Sequence, residues 1–567
     1  MDSRRKYFSL VTKNVFLACA ASIALAGATL SWLSQTASAD SVAVARESTN
    51  ASSAVLYVNN GDGPLADNFN PFVPSNDAGL VPIYEPLLQF DQLKPGTVYP
   101  WLATKYDWSN AGKTITFTIR PHVSWSSGRP FSSSDVAFTF SMLKRFPSLN
   151  TLALPIVSAT TDGMTKAVID FSRPAYTLLQ QIGSTDIVPA YIWQGVKDPS
   201  KFADTDPVGT GPYMLQRFST AGIWVVRNPH YWQPNNSGIE RIYAAAYTSG
   251  TAAQLALETG QDQWAGLFVP NYQKLYVAKA PKYNVFWSPA TGTVSLEPNN
   301  TIYPLNIPLV RKALAFAINR ASVGNIGESG TELPVTSAVG LPMPTFKSYV
   351  AANYAGKNYS YDPSEAVKLL EKAGLRRNSK GVFLGKNGAP ITLSIVDPSG
   401  YTDYMADAEI IAKELDNIGL HTSVDGVSVA LWTTDYIDGK FDMTIRWSRG
   451  GGTPFFIYQG WLDGTETAPV GKAATGDYER FHSAAATGLL AEYGSTDNAA
   501  KQASLMAKLE GIVANAVPVV PLVGAANWDQ HSTKEFVGWP TPTNPYILPS
   551  PDMPDMEVTI LHLRPRG

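Results

Sequence analysis

The stretch best suited to ligand chemistry is Trp447-Ser448-Arg449-Gly450-Gly451-Gly452-Thr453-Pro454. An indole offers a flat apolar face and a guanidinium offers a fork of donors. Three successive glycines let a ligand approach the backbone without meeting a Cβ. The plain alternative is a turn with no ligand, because glycine and proline serve turns equally well.

Position favours the ligand. An apolar run, Phe441 to Arg446, reads as a buried strand that delivers the chain to Trp447. Upstream, Ile391 to Val396 reads as a strand. A helix follows with Ala408, Ile411, Ala412 and Leu415 on one face; Gly419 stops it and Leu420 to Val424 forms the next strand. Val427 to Ile437 repeats the helical step and turns at Asp438-Gly439. Strand, helix, strand, helix, strand is the pattern of a parallel sheet, and ligands of such sheets bind beyond the carboxyl ends of the strands. Trp447 lies at such an end.

The chain has 567 residues. Its first 39 read as an export signal: Arg4, Arg5, Lys6 and Lys13 are basic, Val15 to Leu33 is apolar, and Ala37-Ser38-Ala39 is a small-residue cleavage site. The expected product is freely secreted, periplasmic or cell-surface. Lipid anchoring at Cys19, an uncleaved anchor, and export by the general or the twin-arginine route stay open. Cys19 is the sole cysteine, so the exported chain is no disulfide scaffold, thiol enzyme or cysteine-ligated zinc protein. The formal charge is −3, and losing the basic leader makes it more negative. That argues against nucleic acid or an anionic membrane as partner. With 14 Trp, 26 Tyr and 23 Phe, aromatic surface is available for core and for stacking alike.

Order begins at the strand Ala54 to Val58, followed by Asn59-Asn60 and Asn68-Phe69-Asn70. Asn side chains donate and accept, as sugar hydroxyls or peptide amides require, but they are also ordinary turn residues. Thr114 to Ile119 alternates as a half-buried strand, and Ser134-Asp135 opens a helix to Lys144. Val208 to Tyr213 is a tight glycine turn. Ala252 to Thr259 and Leu309 to Arg320 read as helices, Asp362 to Glu365 caps another, and Lys501 to Val513 is the last. The tail is proline-rich and ends in an expected strand, Val558 to Leu563.

Eight segments, in order, resemble the extracellular solute-binding proteins of ABC importers, in the family 5 group that takes peptides, nickel and oligosaccharides. They are Tyr84 to Leu88, Trp101 to Ala103, Phe117 to Trp125, Gly128 to Val136, Val208 to Tyr213, Arg227 to Trp232, Val310 to Arg320 and Tyr361 to Gly374. The resemblance implies an α/β, two-lobed periplasmic-binding-protein-like fold of the type II, large cluster C form. Lobe I would span 40–295 with a subdomain at about 85–207, lobe II would span 296–525, and 526–567 would return to lobe I. It also implies a monomer that closes on a small-molecule ligand and delivers it to the transmembrane subunits of an ABC permease, without enzyme activity, cofactor or metal.

Oligopeptide binders of this group carry an aspartate in the segment matching Trp447 to Pro454, where it pairs with the peptide's α-ammonium. Here Gly450 holds that position beside Arg449, and a cation there repels an ammonium. Trp264 to Phe268, Trp447 and the proline-rich tail instead resemble the branch that takes cellobiose-like sugars. A neutral, β-linked short oligosaccharide is therefore the expected ligand. Such a sugar needs flat aromatics against its rings and amide or guanidinium groups around the rim. Trp264, Phe268, Trp287, Trp447 and Trp461 are the stacking candidates. Asn59, Asn60, Asn68, Asn70, Asn299 and Arg449 are the rim candidates, with Gly450 and Gly451 giving backbone access.

An oligopeptide ligand is the first alternative. A secreted glycoside hydrolase, with two carboxylates flanking a sugar bond, is a more distant one. The six His are scattered, with no H-E-x-x-H and no G-x-S-x-G, and a nickel or haem site has no paired His or Cys to build on.

Overall fold

The structure, a computed structural model, describes residues 54–74, 76–233 and 237–566, with the side chains of 60–62 outside that description. The expected signal segment 1–39, with Cys19, and the side chain of Asn60 therefore lie outside the described residues.

Two sheets carry the architecture. A seven-stranded sheet runs in the order Asn284–Trp287, Asp529–Ser532, Trp264–Ala265, Ala54–Asp62, Ile239–Tyr247, Gly222–Arg227, Tyr213–Ser219. Ala54–Asp62 is parallel to both of its neighbours; the other pairs are antiparallel. Leu56, Val58, Ile242, Ala244 and Trp264 pack on its core. A five-stranded sheet runs in the order His421–Val427, Thr392–Pro398, Met443–Trp447, Ala290–Pro298, Val520–Ala526. A third, antiparallel sheet of four strands, Ala103–Ser109, Thr114–Ile119, Lys166–Phe171 and Ile156–Thr161, carries the helix Ser133–Arg145 and its own core.

The chain passes between the two large sheets at two places. Trp287 ends a strand of the seven-stranded sheet and Ala290 begins one of the five-stranded sheet; Ala526 and Asp529 mark the return. The two crossings are tied together. The backbone N–H of Asn527 donates to Pro289 O at 3.0 Å, and its Nδ2 donates to Thr291 Oγ1 at 2.8 Å. The expected lobe boundary at 295/296 falls inside the continuous strand Ala290–Pro298.

The strand–helix alternation around Trp447 forms as the periodicity requires. Thr392–Pro398 is parallel to both His421–Val427 and Met443–Trp447, and the helices Thr402–Asn417 and Val429–Asp438 make the crossovers. Ala408, Ile411, Ala412 and Leu415 are buried on one helix face. Met443–Trp447 is also antiparallel to Ala290–Pro298, so this sheet is mixed. Gly209 and Gly211 sit where any Cβ would overlap the carbonyls of Pro82 and Ile83, which explains the tight glycine turn.

Three expectations are corrected. Val558 to Leu563 is not a strand. It belongs to the helix Asp555–His562, in which Val558, Thr559 and Ile560 are buried in succession, a burial that a half-exposed strand does not give. Lys501 to Val513 is consequently not the last helix; it extends to Ala499–Ala516. The helix from Leu309 runs Pro308–Ala317 and breaks before Arg320, because Asn319 accepts from the backbone N–H groups of Ala321 and Ser322 and starts a new short turn.

Candidate functional site

A cavity of about 600 Å³ opens beside the two crossings. The five-stranded side supplies Trp447, Ser448 and Gly450 from the end of one strand, and Thr291, Gly292 and Val294 from its neighbour. The loop and first turn of the helix after Thr392–Pro398 add Tyr401 to Tyr404, and Glu332 comes from a separate loop. Phe268 and Gln92 belong to the other side, while Asn527 and Trp528 lie on a crossing.

Local pairing sets Trp447. Past the strand end, Ser448 N–H donates to Thr293 O at 2.7 Å and Ser448 Oγ accepts from Thr293 N at 3.0 Å. Trp447 is held rigidly there, yet it is 47% exposed. Its ring rests against Tyr404 and Trp432, at 6.3 and 6.2 Å between centroids. Trp432 is fixed in turn by its indole N–H, which donates to Thr444 Oγ1 at 2.8 Å. On the other side Phe268 meets Trp528 at 5.7 Å. The cavity is thus bordered by aromatic surface from both large sheets, the arrangement that stacks on flat or ring-shaped ligands.

Of the expected ligand residues, Phe268, Trp447 and Gly450 meet at this cavity. A Cβ at 450 would enter open space, so packing does not force glycine there. Arg449 is engaged elsewhere: Nη2 lies 2.6 Å from Glu466 Oε2 and donates to Thr475 O at 2.7 Å. Gly451 lies against Phe456, whose ring any Cβ would overlap.

The remaining candidates lie away from this cavity, and most are engaged within the fold. Trp264 is wholly buried, donates from Nε1 to Asp529 Oδ1 at 2.9 Å, and meets Trp539 edge-on at 5.2 Å. No face of its indole is left for a ligand. Trp461 is buried against Tyr458 in the core of the five-stranded side. Trp287 lines a different cavity, of about 560 Å³, among prolines. Asn59 donates to Ala253 O and Asp262 Oδ2, both at 3.0 Å. Asn70 donates to Pro199 O and Phe202 O, both at 2.8 Å, and Asn68 Oδ1 accepts from Asn70 N–H. Asn299 donates to Gly439 O and Phe441 O. These amides stitch loops to neighbouring backbone, the ordinary use of a buried Asn.

Sequence reasoning missed Tyr401, Asp403, Tyr404, Glu332, Asn527 and Trp528. Tyr401 to Tyr404 carried a usable signal, since they follow the carboxyl end of a parallel strand just as Trp447 does. Glu332 carried none, being more than a hundred residues from Trp447. Its electrostatics are distinctive. Burial, then the Glu328 charge, holds the Glu332 carboxyl well above the usual carboxylate range. Burial pushes Glu328 up to about 7 and raises Asp403.

Comparison with known proteins places this geometry. Residues 97–469 match the family described as bacterial extracellular solute-binding proteins, family 5 Middle. The nickel-binding periplasmic protein of Escherichia coli is 30% identical over 410 residues, covering 69% of this chain and 74% of that protein. A periplasmic oligopeptide-binding protein of Thermotoga maritima superposes with a TM-score of 0.82 at 26% identity, covering 90% of this chain and 99% of that one. The same protein bound to mannohexaose superposes at 0.76, with 92% and 100% covered. These neighbours share the two-lobed α/β architecture. A match over more than half its length, and a fold shared over 90% of it, mean that the chain belongs to the bacterial extracellular solute-binding proteins of family 5, the ligand-capturing components of ABC importers.

Proposed function

We propose that this protein captures a short oligosaccharide, β-linked and cellobiose-like, between its lobes and hands it to the transmembrane subunits of an ABC permease. The single observation that carries this reading is the pairing of exposed Trp447 with Phe268 and Trp528 around one cavity, where Gly450 stands in place of a carboxylate. The faces of β-linked pyranose rings present C–H groups that stack on such aromatics. The mannohexaose-bound relative supports the reading. Lobe I is proposed as residues 54–288 with 528–566, and lobe II as 289–527, which places each boundary at a crossing. Export by the signal at 1–39 and action as a monomer are part of the proposal.

An oligopeptide is the second reading, favoured by the carboxylates of Asp403 and Glu332 at the cavity and by the oligopeptide-binding relative. Calorimetry with cellobiose, xylobiose, chitobiose and tri- to pentapeptides separates the two. Sugar binding with favourable enthalpy is expected. Heat from peptides alone would overturn the oligosaccharide reading.

A further inference from the structure

Four acids gather at one wall of the cavity. Glu328 and Asp407 are wholly buried behind it, and Asp407 lies so close to Gly327 that any Cβ there would overlap its carboxyl. Burial, and then the neighbouring Glu328 charge, push the Asp407 carboxyl well above the usual carboxylate range. Glu332 and Asp403 stand in front and line the cavity. Glu332 is 5% exposed; Oε1 accepts from Ala526 N–H at 3.0 Å, and Oε2 has no partner. Among the described residues no Lys, Arg or His forms an ion pair with any of the four. No group of three or more acids or His among them is arranged to hold a metal ion.

A buried carboxylate without a donor is costly, so burial holds Glu332 toward its protonated form, and a ligand that brings a donor and a positive charge favours the ionised form instead. A neutral hydroxyl brings the first only. A primary ammonium brings three donors and the charge, and it is compact enough to sit between two carboxyls. Tyr404 and Trp447 line the same cavity, and the face of an indole or phenol attracts a cation within about 6 Å.

We propose that Glu332 and Asp403 form a subsite for a protonated primary amine on the ligand, so that the preferred sugar is an amino sugar of the glucosamine type. This rests on the oligosaccharide reading above and replaces the neutral ligand expected from Gly450. The subsite lies on different elements from the Gly450 segment, so the missing carboxylate there does not exclude a cationic ligand.

The test is calorimetry at about pH 6, where such an amine is protonated, with the glucosamine dimer, its N,N′-diacetyl form, cellobiose and a tripeptide. The glucosamine dimer is expected to bind roughly 10- to 100-fold more tightly than cellobiose, the effect of a charge-assisted hydrogen bond. In Glu332→Gln and in Asp403→Asn the ratio of glucosamine-dimer affinity to cellobiose affinity should shrink to about threefold or less, whatever each variant does to cellobiose binding itself. Asp403 is half-buried at a helix start, so its variant is expected to keep the wild-type melting temperature even if Glu332→Gln does not. Equal affinity for cellobiose, or for the diacetyl dimer, overturns the amine subsite and leaves the oligosaccharide reading intact. Peptide binding that depends on Glu332, with no heat from any sugar, supports the subsite and overturns the oligosaccharide. Binding of Ni²⁺ or Ca²⁺ alone that Glu332→Gln abolishes assigns the carboxylates to a metal and overturns the amine.

Discussion

Two clusters of acids are buried, one on the seven-stranded side and one on the five-stranded side, and they are built differently. On the seven-stranded side, Glu85 is surrounded by donors. Its carboxylate accepts from the indole N–H of Trp101 at 2.8 Å, from that of Trp232 at 2.9 Å and from Tyr231 OH at 3.3 Å. Glu557, beside it, accepts from Gln89 Nε2 at 3.2 Å and from Tyr231 OH at 3.3 Å. On the five-stranded side, no carboxyl oxygen of Glu328 or Asp407 has a hydrogen-bond partner among the described residues, and Glu332 has one donor for two oxygens. The first cluster is closed by indole, phenol and amide donors around it. The second is left incomplete where a cavity begins. Burial of acid is therefore no sign of function by itself; the sign is burial without donors, next to space.

The tryptophans divide along the same line. Trp264 is completed by Asp529 and Trp539, whereas Trp447 keeps an open face. Replacing them gives the largest expected contrast. Trp264→Ala should lose about 3–5 kcal/mol of stability through the cavity it leaves, with ligand affinity unchanged. Trp447→Ala should lose affinity by about 2 kcal/mol or more, the range of an interface anchor, with the melting temperature nearly unmoved. Melting and calorimetry on both variants decide. An affinity loss at Trp264 on a stable fold would erase the distinction between the two tryptophans.

A smaller effect compares the acids directly. Glu85→Leu strands two indole N–H groups and should cost about 2–3 kcal/mol. Glu328→Gln strands no such donor, and its consequence is pH-dependent. Burial raises Glu328 to about 7 from an ordinary value of 4.5. An acid raised on folding favours the folded state while protonated; that contribution is full below about pH 4.5 and is lost as pH rises through about 7. Asp186 and Glu510, also raised to about 7 by burial, act in the same direction. The wild type should therefore melt at a higher temperature at pH 5 than at pH 8. Glu328→Gln should flatten that slope; Glu85→Leu removes another acid raised to about 7 by burial and should flatten it too, but its two stranded indole N–H groups should also lower melting at pH 5. A Glu328→Gln loss as large as that of Glu85→Leu would show that the second cluster is structural too.

The smallest effect tests where the lobes touch. Gln180 Oε1 accepts from Gly452 N–H at 2.5 Å, joining the region of the four-stranded sheet to the glycine run after Trp447. Gln180→Ala should weaken closure by about 1 kcal/mol, the net worth of one hydrogen bond. Small-angle scattering should give a larger radius of gyration for the ligand-free variant than for the wild type. An unchanged radius would mean that other contacts hold this face shut.

Much of the fold was legible in the sequence because local rules set it. The period of the helix Thr402–Asn417, the alternation of Thr114–Ile119 and the parallel order ending at Trp447 depend on neighbours within a few residues, and each formed as read. Trp447 and Gly450, which line the cavity, were reached because strand ends and glycine runs leave a local mark, and Phe268 through the family resemblance of Trp264 to Phe268. The tail misled because Val558 to Leu563 is a short run rich in apolar and β-branched residues, while burial of Met556 and Ile560 with Trp539 selects a helix. The rim asparagines misled for a related reason. An amide has the same donors and acceptors whether it faces a ligand or a backbone carbonyl, and only the tertiary partners of Asn59, Asn70 and Asn299 settle which. The residue types, the period of each element and the absence of a carboxylate at Gly450 belong to the sequence alone. That Trp264 is core while Trp447 is open, and that Glu332 meets Asp403 at one cavity, were decided by packing between segments scores of residues apart, where no local pattern carries the information.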